Sequence, residues 1–290
     1  MSVLANKIDF AVLVSVKGAN PNGDPLNGNR PRTTYTGLGE ISDVCIKRKI
    51  RNRLQDMGEN IFVQSQERCD DGFGSLSQRA GKTITEYAGR EDYAKTACET
   101  WMDVRSFGQV FAFKGEKGDK DKKEKGSVSC GVRGPVSVQA AKSVSPIVLH
   151  SIQITKSVNS EPTQNGEKSS DTMGAKHSVD FGLYLIKGAI NVQLAEKTGF
   201  TEADAEKIKE CLRTLFINDA SSARPDGSME VVRVYWWKHN NKIGQYSSAK
   251  VHKSLCVALK DGVDLPASED DYCISLLPLD GLTPEIIDGI

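Results

Sequence analysis

Nine consecutive residues near the start of the chain, Ile8 to Val16 (IDFAVLVSV), are almost all apolar and rich in β-branched side chains. The run is short, and the glycine and prolines that follow end it, so it reads as a buried strand. It leads into GANPNGDPLNGNRPR, residues 18–32, with four Asn, three Pro and three Gly in fifteen positions. Such a segment fits neither a helix nor a central strand, and is a long structured loop ending in Arg30 and Arg32.

Residues 40–57 (EISDVCIKRKIRNRLQDM) read as a helix. Ile46, Ile50, Leu54 and Met57 share one narrow arc, and Lys47, Arg48 and Arg51 an adjoining one, with Gly58 as a C-terminal stop. A second helix is expected near Arg90–Met102. Residues 114–125 (KGEKGDKDKKEK) hold six Lys, four acids and no apolar side chain, and read as a mobile surface loop. Strands are expected at 132–138, 147–155 and 181–194, with the polar stretch 156–178 projecting between the last two as a hairpin-like arm. Thr201–Phe216 is the clearest helix, with Thr201 and Asp204 suited to its start and Ala205, Ile208, Leu212 and Leu215 at helical spacing. Met229–Trp237 is a strand alternating at Val232, Val234 and Trp236. Two βαβ-like halves sharing a sheet make an α+β, ferredoxin-like plan, which RNA-recognition modules also use.

The chain has 290 residues, with 38 bases and 38 acids. Residues 261–290 carry eight of the acids and no Lys or Arg, so residues 1–260 are left with 38 bases against 30 acids, a net of +8. Either an acidic tail hangs on an ordinary body, or a basic surface serves a polyanion with the tail kept away from it. No run approaches the roughly 18 apolar residues of a membrane span. The first nine residues lack the basic and apolar pattern of a secretory signal. Seven cysteines without CxxC spacing argue against a disulfide framework or zinc knuckle, and for a reducing cytoplasm.

Most chemical motifs are weak. Gly81-Lys82-Thr83 lacks the upstream glycine of a phosphate-binding loop, since Leu76 stands there. Ser247 and Lys250 have SxxK spacing without companion motifs. His150, His177, His239 and His252 have no clustered ligands, so no metal or other cofactor is expected. Asp24 could hold a metal or position a nucleophile for RNA hydrolysis, but Asp before Pro suits a turn. The strongest constellation is Asn20, Asn22, Asn27, Asn29, Arg30 and Arg32 with Lys47, Arg48 and Arg51. Carboxamides and backbone N–H groups can bond phosphates and 2′-hydroxyls, and cations can neutralise phosphates. The plain alternative is a charged helix face beside a turn.

With these residues the chain resembles a known family. IDFAVLVSVKGANPNGDPLNGNRPRT, SDVCIKRKIRNRL, SSDTMGAKHSVDFGLYLIKGAIN (169–191) and ASSARPDGSMEVVRVYWWKH (220–239) look like the backbone subunit of type I-C CRISPR Cascade, in the seventh CRISPR-associated protein family. The resemblance implies one right-hand-shaped domain over 1–290. Its palm core would span about 1–57, 130–155 and 180–260, with a finger-like insertion at 58–129, a thumb hairpin at 156–178 and an acidic C-terminal segment at 261–290. It also implies a non-catalytic, cytoplasmic CRISPR RNA carrier. Such a carrier polymerises head to tail along the guide, binds other Cascade subunits, meets target DNA through the guide and touches no membrane. The Asn-rich loop and the Lys47/Arg48/Arg51 flank become palm contacts, Met173, Lys176 and His177 lie near the thumb tip, and Gln139 and Lys142 are further guide contacts. Because related subunits in other complexes cut RNA with a loop aspartate, the alternative is an RNA-guided endoribonuclease using Asp24.

Overall fold

A computed structural model describes residues 2–113, 128–155 and 173–290. The lysine-rich loop expected at 114–125 and residues 156–172 of the expected arm lie outside the described residues. The first half of the chain forms β1 (Ile8–Ala19), β2 (Gly23–Asp24), β3 (Arg30–Pro31), β4 (Leu38–Ile41), α1 (Asp43–Asp56), α2 (Leu76–Thr83), α3 (Arg90–Thr100), α4 (Met102–Phe107) and β5 (Gly108–Phe113). There follow β6 (Val128–Arg133), β7 (Val136–Val138), β8 (Ala141–Pro146), β9 (Leu149–Thr155), β10 (Met173–Ile190), α5 (Val192–Thr198) and α6 (Glu202–Arg213). The chain continues through β11 (Met229–Lys238), α7 (Ser248–Ser254), β12 (Leu255–Leu259), β13 (Tyr272–Leu276) and β14 (Glu285–Asp288).

The apolar run of β1 lies near the middle of an antiparallel sheet ordered β14-β11-β1-β10-β8-β4. It pairs with β10 from Ile8↔Ile190 to Ala19↔Val179, and with β11 on its other side. The outer edge of the long β10 is shared by β9, β8 and β7 in turn. Ile8, Phe10, Val12, Val14 and Val16 of β1 face one core, which α1 covers with Ile46, Ile50 and Leu54 and α6 with Ala205, Ile208, Cys211 and Leu212. Ala11 and Leu13 face a second core, closed by Val251, Leu255, Tyr272 and Leu282. A strand covered on both faces reads as a continuous apolar run rather than an alternating one.

A third core stands apart from the sheet. Phe62, Tyr93, Trp101 and Phe111 pack with α2, α3 and the β5–β6 pair. Its rings meet at centroid distances of 4.7 to 6.4 Å, mostly tilted or edge-on, as their charge distribution favours.

Several expected boundaries move for local reasons. The first helix starts at Asp43, not at 40, because Leu38–Ile41 pair with β8 and Ser42 caps the helix. Met57 is exposed rather than on the core face. The strand expected over 132–138 splits into β6 and β7 around Gly134 and Pro135, where proline has no N–H to donate. The strand expected to reach 194 stops at Ile190, since Asn191 Oδ1 accepts from Leu194 N at 2.9 Å and starts α5. The clearest helix keeps its expected start. Thr201 Oγ1 accepts from Asp204 N, and Thr201 N donates to Asp204 Oδ2, at 3.1 and 2.8 Å.

Two departures reach further. The alternation expected at Val232, Val234 and Trp236 is broken by a bulge: Leu13 pairs with Arg233 but Val14 with Val231. Val231, Val234 and Trp236 therefore face the helices, while Val232 joins Tyr235 and Trp237 on the other side. One extra residue in a strand reverses every side chain beyond it. The acidic C-terminus is not a detached tail either. Its last strand, β14, pairs with β11, and Asp288 and Glu285 bind Arg233 and Lys209 at 2.9 and 2.8 Å.

Gly188 of β10 lets β1 pack this closely. A Cβ there would stand 2.2 Å from Phe10 Cζ and 2.5 Å from Ser137 O. Gly188→Ala should cost about 1–3 kcal/mol of stability, measured by urea denaturation. Gly131→Ala, where a Cβ meets open space, should leave the midpoint unchanged.

Candidate nucleic-acid interface

The loop leaving β1 is held by its own polar groups. Gly23 and Asp24 pair with Pro31 and Arg30 as the small β2–β3 ribbon. At its tip Asp24 caps the turn Pro25–Asn27, its Oδ1 accepting from Leu26 N at 3.2 Å and its carbonyl from Asn29 N at 2.8 Å. Gly28 and Asn29 complete the reversal at φ 60° and 59°, a left-handed conformation that glycine and asparagine tolerate best. Asn20 is buried and donates to Asn29 O at 2.7 Å. Asn22 Oδ1 accepts from Ser42 N at 2.9 Å, so it ties the loop to the start of α1. Asn20 and Asn22 are therefore scaffold, whereas Asn27, Asn29 and Arg30 stand exposed. Arg32 is half-buried, 3.5 Å from Asp24 Oδ1.

The basic flank of α1 is less free than its sequence implies. Lys47 reaches Asp43 at 3.0 Å, one turn back. Arg48 donates to Val63 O at 2.6 Å. Burial and the neighbouring Arg51 charge push the Arg48 guanidinium below its ordinary value. Arg51 Nε donates to Asp103 Oδ2 at 2.9 Å, and its guanidinium lies 5.0 Å from the centre of the Phe107 ring. Asp103 is 1% exposed and also accepts from Phe62 N and Val63 N, at 2.7 and 3.1 Å. Arg48 and Arg51 thus fasten the aromatic core to α1, whereas Lys47 is paired only within its own helix.

The remaining expected contacts lie on β10 and its neighbours. Gln139 is exposed after β7, its N–H donating to Lys187 O at 2.8 Å. Lys142 is exposed on β8 opposite Leu185 and Glu40. Met173 opens β10 opposite Thr155, and Lys176 and His177 follow opposite Ile152 and Ser151. Ser151 Oγ and His177 Nδ1 are 2.8 Å apart. Arg30 comes against this hairpin, and with Ser151, Ile152, Gln153, Gly174, Ala175 and His177 lines an open groove of about 420 Å³. Arg30 and His177, 147 positions apart in sequence, are brought together there.

Sequence reasoning passes over one part of this surface. Loop 217–228 docks on the end of β1, with Lys17 N donating to Ser228 O and Asn20 N to Ala223 O, both at 2.8 Å. It carries Asp219, which accepts from Arg224 Nε at 3.1 Å and from the buried Lys49 of α1. The available signal was Lys49 itself, a lysine between Ile46 and Ile50 on a core-facing arc.

The weaker motifs acquire structural roles. Gly81–Thr83 end α2 rather than precede a helix. Ser247 caps α7, its Oγ accepting from Lys250 N at 3.3 Å. His239 is buried against Asp9 at 2.8 Å, and His252 against Gly188 O at 3.1 Å. Among the described residues no group of His, Cys, Asp and Glu is arranged to hold a metal ion.

The arrangement defines a mixed α/β protein with a large antiparallel sheet and a polar, cation-bearing loop at one end of its central strand. Residues 6–277 match the family model described as CRISPR-associated protein Cas7, and the chain belongs to that family. A Haloferax volcanii protein described as CRISPR-associated protein Cas7 is 27% identical over 252 residues, which cover 82% of this chain and 73% of that protein. A chain of the solved assembly described as "CRISPR RNA-guided surveillance complex, pre-nicking" superposes with a TM-score of 0.51 at 16% identity, over 89% of this chain and 83% of its own. At that identity the likeness is one of fold.

Asp103→Ala would strip the partners from Arg51 and from two backbone N–H groups. A loss of about 3–5 kcal/mol in thermal or urea unfolding is expected, as for a buried pair broken on one side. Asn27→Ala, at an exposed position, should stay within about 0.5 kcal/mol of the parent.

Proposed function

We propose that this chain is the non-catalytic, CRISPR RNA-binding backbone subunit of a type I-C Cascade complex. In this reading copies line up head to tail along the guide in a helical filament, join other Cascade subunits and present the guide's bases to target DNA. The cytoplasm is the proposed location. The run of strands β11-β1-β10-β8, with α1 and α6 on one face, supports a ferredoxin-like palm. The third core and its hairpin support a finger over 58–129, and the β9–β10 pair the base of a thumb at 156–178. The acidic 261–290 segment is read as part of the palm's back wall.

The observation that carries the proposal is how the sheet is covered. Both faces of β1 are packed, and Phe10, its aromatic residue, is 0% exposed and stacked on Trp236. No base can stack on β1 as on an RNA-recognition module. Polar contacts are left to loop and strand edges: Arg30 beside His177 in the groove, Asn27 and Asn29 exposed on the same loop as Arg30, and Lys142 exposed farther along the same sheet. Such groups bond phosphates and 2′-hydroxyls and leave base edges free, which suits a carrier whose sequence reading is done by base pairing.

Arg51 is a poor site for a test, because its charge belongs to the fold. Arg30→Glu with Lys142→Glu reverses two exposed charges instead. Guide RNA co-purifying with the complex, read from the absorbance ratio and extracted nucleic acid, should drop severely while the protein stays folded. Full retention of RNA would refute the assignment. The endoribonuclease alternative finds little support, since Asp24 is engaged in its turn and with Arg32. Complementary RNA incubated with the complex and a divalent metal should remain intact; regular cuts lost in Asp24→Ala would establish that alternative.

A further inference from the structure

The two ends of the main sheet are finished differently. At one end β4 is covered: Thr33 bridges to Gly39, Glu40 N donates to Arg32 O at 2.9 Å, and Thr34 N donates to Leu38 O at 2.8 Å. At the other end β14 pairs with β11 on one side only. Successive residues of an antiparallel strand alternate between bonding a given neighbour and turning away from it. Gly289 N donates to Val232 O at 3.4 Å. Glu285, Ile287 and Gly289 therefore turn their backbone groups toward β11, and Ile286 and Asp288 turn theirs outward. Arg213 Nε reaches the outward carbonyl of Asp288 at 3.2 Å. The N–H and C=O of Ile286 and the N–H of Asp288 have no partner among the described residues.

An edge of this kind is a template for a further strand. This one is apolar as well as open. Ile287 packs against the helix-covered core, so Ile286 stands on the opposite face, 51% exposed, and Ile290 beyond the strand is 68% exposed. The surrounding charge is sorted by depth. Glu206, Glu210, Glu285 and Asp288 have side chains 44 to 77% exposed, whereas the bases paired with them, Lys209, Arg213 and Arg233, are 14 to 39% exposed. An approaching strand therefore meets the acids first. A second copy offering the same edge would set like acids against one another, which is unfavourable across paired strands. An extended segment with Lys or Arg between apolar residues matches both the charge and the isoleucines.

We propose that the outer edge of β14 docks an extended, basic segment of a partner protein as an added strand. The backbone groups of Ile286 and the N–H of Asp288 bond the incoming main chain, its apolar side chains cover Ile286 and Ile290, and its cations meet the outer acids. The inference goes beyond the RNA-carrier reading and does not rest on it, since β11 and β1 separate this edge from β10 and its groove.

The test is amide hydrogen exchange at Ile286 and Asp288 of the full chain, with a short peptide alternating lysine and valine as probe and a glutamate–valine peptide of equal length as control. The basic peptide should slow exchange at both amides several-fold, and the acidic peptide should leave it unchanged. In the complex purified with its neighbouring subunits the same two amides should be protected. Ile286→Pro removes the outward donor and no bond to β11, a change that an edge strand tolerates. Its unfolding midpoint should stay near the parent's, while protection of Asp288 by the basic peptide is lost. Should that variant unfold, Ile286→Lys, which keeps the backbone and adds a cation, should lose the protection in its place. Equal protection by both peptides, protection by neither, or exchange in the complex as fast as in the chain alone would overturn the proposal. Slow exchange in the chain alone that deepens with its concentration would assign the edge to a second copy and overturn it too. RNA binding is a separate measurement, and either result there leaves this one standing.

Discussion

The burial of β1 on both faces is the constraint on which the rest of the molecule depends. Each residue from Ile8 to Val16 is covered, so the chain must supply two layers of cover rather than one. The helices α1, α5 and α6 give the first, and α7 with the β12–β13 pair gives the second. Once both faces are spent, the loops at the ends and edges of the strands are the surface that remains for a ligand. The Asn-rich loop issues directly from the end of β1, so a strand buried on both faces positions a polar surface.

That surface is built by division of labour among similar residues. Of the four asparagines, Asn20 and Asn22 hold the loop's shape and its link to α1, while Asn27 and Asn29 face outward. Among the bases, Arg48 and Arg51 bind the aromatic core to α1, Lys49 anchors loop 217–228, and Arg30 lies in the groove beside His177. Residue type alone does not separate the two groups. A carboxylate such as Asp103, far along the chain, decides which arginine is available.

Local signals made much of the fold legible. The apolar run announced β1, the arc of Ile46, Ile50 and Leu54 announced α1, and Thr201 with Asp204 announced α6. What stayed hidden depends on pairing across long sequence distances. The bulge at Val232 exists only relative to Leu13 and Val14. The acidic C-terminus looked detached until β14 met β11, where Arg233 and Lys209 balance its charge. The site followed the same rule. The Asn-rich loop was visible from composition, but the approach of Arg30 to His177 and of Arg224 to Lys49 requires the folded sheet.

The proposed role of the chain is a carrier that coats RNA in repeated copies. Native mass spectrometry of the chain bound to guide RNAs of increasing length tests this most directly. For a carrier, the mass should rise by one 31.6 kDa subunit for each fixed increment of RNA, whatever its sequence. A mass that stays at one copy regardless of RNA length, or binding confined to one sequence, would contradict it.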